Sequence, residues 1–241
     1  MQIRYRHMAA ADLALVGIAQ VAFGAAIVEP FFFGMGIVAL VLAAIAWRVR
    51  AAWGVVPGIM GGTLMIAQYA FFSQQFQFFD SALDFVPAFM SVAGSAGAIA
   101  FGVAHVVSTR RSCTSFASTF VVRAYATALV GVLAVAAASG VVDVLDEPAT
   151  VSAAEREGAV VVRYKDFETE NTRIEAAVGE SIRVVIDNED RVFHDFKVKG
   201  TDVKVDVGPG DEKLVVFTLD AGAYTYVCTL HTEMKGDLIV K

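Results

Sequence analysis

The sequence predicts a bundle of five membrane-spanning helices followed by a small all-β sandwich. Three observations carry this expectation. Hydrophobic residues make up 56% of the 241 and charged residues 18%, against about 45–50% and about 25% in soluble domains. The charges also divide near position 150. Residues 1–150 hold seven Arg, no Lys, five Asp and two Glu, a net of zero, while residues 151–241 carry the whole net charge of −6. Finally, the hydrophobic period becomes two after Gly158. A disordered chain and a basic nucleic-acid binder are both excluded.

The first span is expected at Ala11–Val28, the second at Phe31–Trp47 and the third at Gly54–Phe72, followed by Val86–Val107 and Phe120–Val142. About 20 apolar residues cross a bilayer core as a helix. A soluble core helix of that length would carry a polar stripe, and these do not. Only Glu29-Pro30 separates the first two, as a tight helical hairpin would. Arg4, Arg6, Arg48, Arg50, Arg110, Arg111 and Arg123 all fall at one set of ends. The alternate connections hold Glu29, Asp80 and Asp84 and no Lys or Arg. Positive charge stays on the cytoplasmic side, so the N-terminus is expected inside and the C-terminal part outside. A secretory leader is the competing reading of residues 1–28; four further spans favour a retained first helix.

Within the spans, Asp12 and His105 are the ionisable residues that stand out, both near the cytoplasmic end. A bis-histidine haem needs two axial histidines in the membrane, and only His105 is available. His105 is expected at the interface, near Arg110. Gln20, Gln68 and Tyr69 are expected to bond between helices. Gly58/Gly62 and Gly94/Ala98/Gly102 have the four-residue spacing of close helix packing. Phe71, Phe72, Phe76, Phe78, Phe79 and Phe85 mark an aromatic outer loop.

Residues 143–157, with Pro148 and several acids, read as a linker, and 158–241 as the sandwich. Alternating or apolar runs occur at Val160–Val162, Thr172–Ile174, Ile182–Ile186, Phe196–Val198, Val203–Val207, Leu214–Leu219, Tyr224–Cys228 and Leu238–Val240. Turn signals at Gly179, Asn188, Gly208-Pro209-Gly210 and Gly222 separate them. Seven or eight short strands suggest an antiparallel sandwich. No segment there has helical period.

Cys113 and Cys228 are the two cysteines, and the expected topology places them on opposite sides of the membrane. Cys113 reads as an ordinary cytoplasmic thiol. Cys228 is a lone thiol in an extracytoplasmic domain and needs a role there. It opens Cys228-Thr-Leu-His231-Thr-Glu-Met234, and His194 lies upstream after Asn188. Two imidazoles, one thiolate and a weak thioether make up a blue-copper donor set.

The segment from Gly158 to Lys241 resembles the cupredoxins of the short-loop plastocyanin and amicyanin type. The resemblance rests on Val178-Gly-Glu, Asn188, Gly208-Pro-Gly-Asp, Ala221-Gly-Ala-Tyr-Thr-Tyr-Val-Cys228 and Met234-Lys-Gly-Asp-Leu-Ile-Val. It implies a Greek-key fold and one type 1 copper ion held by His194, Cys228, His231 and Met234. Two positions depart from the pattern. Asp195 stands where Asn is common, and Leu230 where Pro is common. The first bears on loop rigidity or potential, the second on the looseness of the ligand loop.

By this resemblance the chain is a membrane-anchored, multi-pass copper protein that transfers single electrons on the outer face, through the edge of His231. The acidic outer part suits a basic redox partner, a c-type cytochrome or another copper protein. Membrane lipid is a further partner; nucleic acid is not. Copper chaperone, storage or sensor roles are alternatives, as is a redox arm of a respiratory complex. His7, His105, His194 and His231 are the only histidines. That is too few for a multicopper oxidase or a copper nitrite reductase within one chain. The two-copper centre of an oxidase subunit needs a second loop cysteine. No catalytic site is expected.

Overall fold

Glu29-Pro30 separates two helices, as the sequence predicts. In the computed structural model, which describes residues 4–49, 55–67, 73, 75–110, 117–231 and 233–241, α1 spans Tyr5–Ala26 and α2 spans Pro30–Arg48. Val28 turns the chain at φ 57°, and Glu29 N donates to Gly24 O at 2.8 Å. Pro30, lacking an N–H, takes the first helical position, where that donor would have no partner. Then come α3 (Val56–Ala67), a 3₁₀ turn at Gln75–Gln77, α4 (Ala82–Arg110) and α5 (Thr119–Leu145). The chain divides into two compact units, Met1–Asp143 and Val144–Lys241.

Among the described residues, α1, α2, α4 and α5 are long and apolar enough to cross a membrane. The third expected span is represented by α3, 12 residues long. Its expected continuation through residues 68–72, including Gln68, Tyr69, Phe71 and Phe72, lies outside the described residues. So do Arg50, Arg111 and Cys113.

Small residues set how near these helices come. A Cβ on Gly94 of α4 would lie 2.8 Å from the Asp12 carbonyl oxygen of α1. One on Gly62 of α3 would lie 3.2 Å from the Ser95 carbonyl oxygen of α4. Gln20 Nε2 donates to Ser91 Oγ at 2.6 Å, and Tyr125 OH donates to Asp12 Oδ1 at 2.9 Å. His105 is buried inside this unit. It continues the face of α4 that buries Ser91, Ser95, Ala98 and Gly102, one helical turn apart. Phe76 and Phe79 meet Phe85 edge-on and Phe89 stacks on it, at centroid distances of 6.2, 5.0 and 5.4 Å.

The second unit has nine strands among the described residues: β1 (Val160–Lys165), β2 (Glu168–Glu170), β3 (Arg173–Ala176), β4 (Ile182–Asn188), β5 (His194–Val198), β6 (Lys204–Val207), β7 (Glu212–Phe217), β8 (Gly222–Val227) and β9 (Lys235–Val240). One sheet has the order β2-β1-β4-β7 and the other β3-β9-β8-β5-β6. The expected all-antiparallel pattern is corrected at two places, because β1 pairs with β4 and β3 with β9 in parallel. The chain changes sheets between these strands, so partners distant in sequence meet side by side. Alternation has a period of two in either orientation and cannot distinguish them.

β2 is also absent from the expectation. Its sequence, Glu-Thr-Glu, is polar and largely exposed, and pairing with β1 makes it a strand. A capped helical turn, α6 (Ala153–Arg156), interrupts the predicted linker. Glu212 N donates to Ala149 O at 2.7 Å and Val151 N to Glu212 Oε2 at 3.0 Å, so this stretch is attached to β7. Tyr164, Ile174, Val184, Ile186, Phe196, Tyr226 and Leu238 fill the core between the sheets, together with Cys228 and Met234.

Candidate metal centre

The last turn before β9 is tied by backbone bonds. Cys228 N donates to Met234 O at 2.9 Å, and Met234 N to His231 O at 3.1 Å. Three of the four predicted ligands therefore sit on one closed loop. The fourth, His194, opens β5 opposite it. Cys228 Sγ lies 3.7 Å from both His194 Nδ1 and His231 Nδ1, and the two Nδ1 atoms are 3.0 Å apart. Met234 is buried in the same core cluster as Cys228.

Such separations suit one ion. Nitrogens about 2.0–2.1 Å and a thiolate about 2.3 Å from a common metal lie at most about 4.4 Å apart. Among the described residues, His194, Cys228 and His231 form the cluster of donors close enough together for this. The donors are also prepared chemically. His194 Nε2 lies 2.9 Å from Asp190 Oδ2. A carboxylate only accepts, so Nε2 carries the proton and the Nδ1 lone pair faces Cys228. Burial alone would push Asp190 up; hydrogen bonds from His194, Phe167 N and Asp166 N outweigh it and hold the carboxyl below its ordinary range.

Burial, and next to it the neighbouring His194, lower His231 to about 4, so its imidazole is neutral and can coordinate at neutral pH. Burial raises the Cys228 thiol to about 12, against the pull of the backbone N–H groups of Asp195, Leu230 and His231. A metal that takes this sulfur must displace its proton. Between about pH 8 and 10, above the ordinary imidazole range, one proton should therefore leave per ion bound, and apparent affinity should rise about tenfold per pH unit. Below about 4 the slope should steepen as His231 also protonates. Competition titrations across pH measure it, and a flat profile would refute thiolate ligation.

The two departures have visible partners. Asp195 is fully buried. It accepts from Thr229 N, and its Oδ2 accepts from Thr229 Oγ1 at 2.6 Å. Lys204 Nζ stands 3.4 Å from Oδ2 and balances its charge. Asp195 N donates to Cys228 Sγ at 3.5 Å. The aspartate thus ties the two ligand loops together, using Thr229 as the donor. Leu230 packs against the sandwich core.

Sequence reasoning missed Asp190, Thr229, Lys204 and Phe167, and it noted Asn188 only as part of a pattern. Asn188 Nδ2 is within 2.9, 3.2 and 2.7 Å of the carbonyl oxygens of Val192, Val207 and Gly208. Its Oδ1 accepts from Asp190 N at 3.0 Å. The cue available in the sequence was the spacing Asn188-x-Asp190-x3-His194.

Residues 127–240 match the family described as "Cupredoxin-like domain". No curated protein matches the chain. Among solved structures, a reduced amicyanin variant is 22% identical over 35% of this chain and 84% of its own, with a TM-score of 0.30. A reduced auracyanin from Roseiflexus castenholzii is 16% identical over 34% and 96%, with a TM-score of 0.31. A copper-containing nitrite reductase from Thermus scotoductus is 26% identical over 34% of this chain and 22% of its own, with a TM-score of 0.29. With its paired sheets and its clustered His194, Cys228 and His231, the C-terminal part of this chain is a cupredoxin domain.

Proposed function

We propose that this chain is a membrane-anchored type 1 copper protein that passes single electrons on the outer face of the membrane. His194, Cys228 and His231 would hold the ion, with Met234 as the weak fourth donor. The observation that carries this reading is the set of three donor atoms 3.0–3.7 Å apart, with the His194 lone pair oriented by Asp190. Copper bound there supplies a one-electron couple. The protein's part is to hold the donors still: His194 heads a strand, Cys228 and Met234 share a backbone bond, and Asp195 joins the two loops. A frame that changes little between oxidation states suits electron transfer. Delivery of copper would instead favour exposed donors that can be exchanged, so the buried His194 and Cys228 speak for a carrier.

Anchoring is supported by the apolar surface of the first unit. Phe31, Val41, Met60, Leu64, Val130 and Val141 are exposed, and α5 buries only Ser139. Such a surface is costly in water and neutral in hydrocarbon. All seven basic residues of the first part at alternate ends support five crossings and an outer copper domain. The −6 of the outer part favours a basic redox partner.

The test uses the full-length chain in detergent, loaded with copper. An intense thiolate-to-copper band and reversible one-electron behaviour are expected. Copper uptake without either would overturn the carrier reading. Met234→Leu should keep copper and raise the potential by tens of millivolts, because a weak axial donor is lost. An unchanged potential would remove Met234 from the ligand set.

A further inference from the structure

The β1–β2 hairpin closes through Asp166 and Phe167, with Lys165 opposite Glu168. Both turn residues are left-handed, at φ 53° and 61°. Two-residue turns of this kind normally use Asn-Gly, because a side chain is disfavoured there. A phenylalanine in that conformation is an outlier whose reason lies in its surroundings. Its ring meets the His231 ring edge-on at a centroid distance of 5.0 Å and the His194 ring at 6.1 Å. The turn is held by one side chain. Asp166 N donates to Asp190 Oδ1 at 2.7 Å, and Phe167 N to Asp190 Oδ2 at 3.1 Å. Asp190 Oδ2 also takes His194 Nε2 at 2.9 Å. A single carboxylate therefore joins one histidine to the turn that lies over the other.

We propose that Phe167 is a fixed cover on the His231 side of the site and that Asp190 is the positioning residue that holds it there, so that together they limit how fast small solutes and the ion pass. The effect on the ion rests on the copper reading above; the cover itself does not. A hairpin tip in solvent gains nothing from an aromatic ring at positive φ, whereas a ring over two imidazoles shields them from water. The turn's own preference argues against a purely local role, since glycine would occupy position 167 without strain.

That preference makes the test clean. Phe167→Gly relaxes the backbone while removing the cover, so a lost fold does not confuse the result. Metal-free full-length protein in detergent is treated with diethylpyrocarbonate, and modification of His231 is followed by mass spectrometry. Phe167→Gly and Asp190→Asn should react about tenfold faster than the parent, the scale of one lost ring–ring contact in local opening. Phe167→Tyr should react at the parent rate. Equal rates in parent and Phe167→Gly overturn the cover, whether or not copper binds. On copper-loaded protein, loss of the visible band to excess EDTA should accelerate by a similar factor in the same two variants. Faster modification with unchanged copper release would overturn the control of the ion. A parent that takes up no copper would overturn the copper reading alone.

Discussion

Cys228→Ala is expected to abolish the visible band of the copper-loaded protein and to weaken copper binding by more than the roughly 10–100-fold that follows from losing a partner outside the ligand set. The thiolate is the only soft anionic donor in the cluster, and the remaining histidines and methionine supply no charge to the ion. The fold should survive. Alanine keeps the backbone bond from residue 228 to Met234 O, and the lost sulfur leaves a small core cavity costing about 1–2 kcal/mol. Absorption spectra and copper content of the full-length variant decide the matter. A retained band would remove Cys228 from the site.

Asn188→Ala should cost the second unit about 3 kcal/mol or more of stability and also weaken copper binding. Its amide serves three buried carbonyl oxygens, and its own oxygen holds Asp190 N. Each buried group left without a partner costs about 1–3 kcal/mol. The loss also reaches the metal, because Asp190 stands two residues on and orients His194. Asn188→Asp should be no better than Asn188→Ala, since a carboxylate would face three carbonyl oxygens with no proton to give. Denaturant midpoints for the second unit and copper titrations of the same samples measure both effects. A variant with parental stability would show that these bonds are replaced by water.

The loop proposed to carry three ligands was legible because its chemistry is local. Cys228, His231 and Met234 lie within seven residues, and few other roles demand that combination. The strands were legible for the same reason: burial on one face imposes a period of two on any strand, whatever its partner. β2 escaped because its side chains are largely solvent-facing and only the ladder to β1 makes it extended. The burial of His105 was not legible from its distance to Arg110. Its burial follows from the face of α4 that it shares with Ser91, Ser95 and Gly102.

By itself the sequence determined the division of charge and hydropathy near residue 150, the helical hairpin at Pro30, the alternating strands and the loop that carries three of the four proposed ligands. These depend on composition, period and short spacing, and none needs a distant partner. Only the tertiary structure decided which strands run parallel, that His194 Nδ1 faces Cys228, and that Asp190 joins His194 to the turn bearing Phe167. Apart from the short step from Asp190 to His194, those arrangements join residues from 23 positions apart, as Phe167 and Asp190 are, to 64, as Arg173 and Asp237 are. Hydrogen bonds over such separations leave no periodic trace in a sequence, because any of several acids or aromatics could occupy the same positions until folding brings one of them into reach.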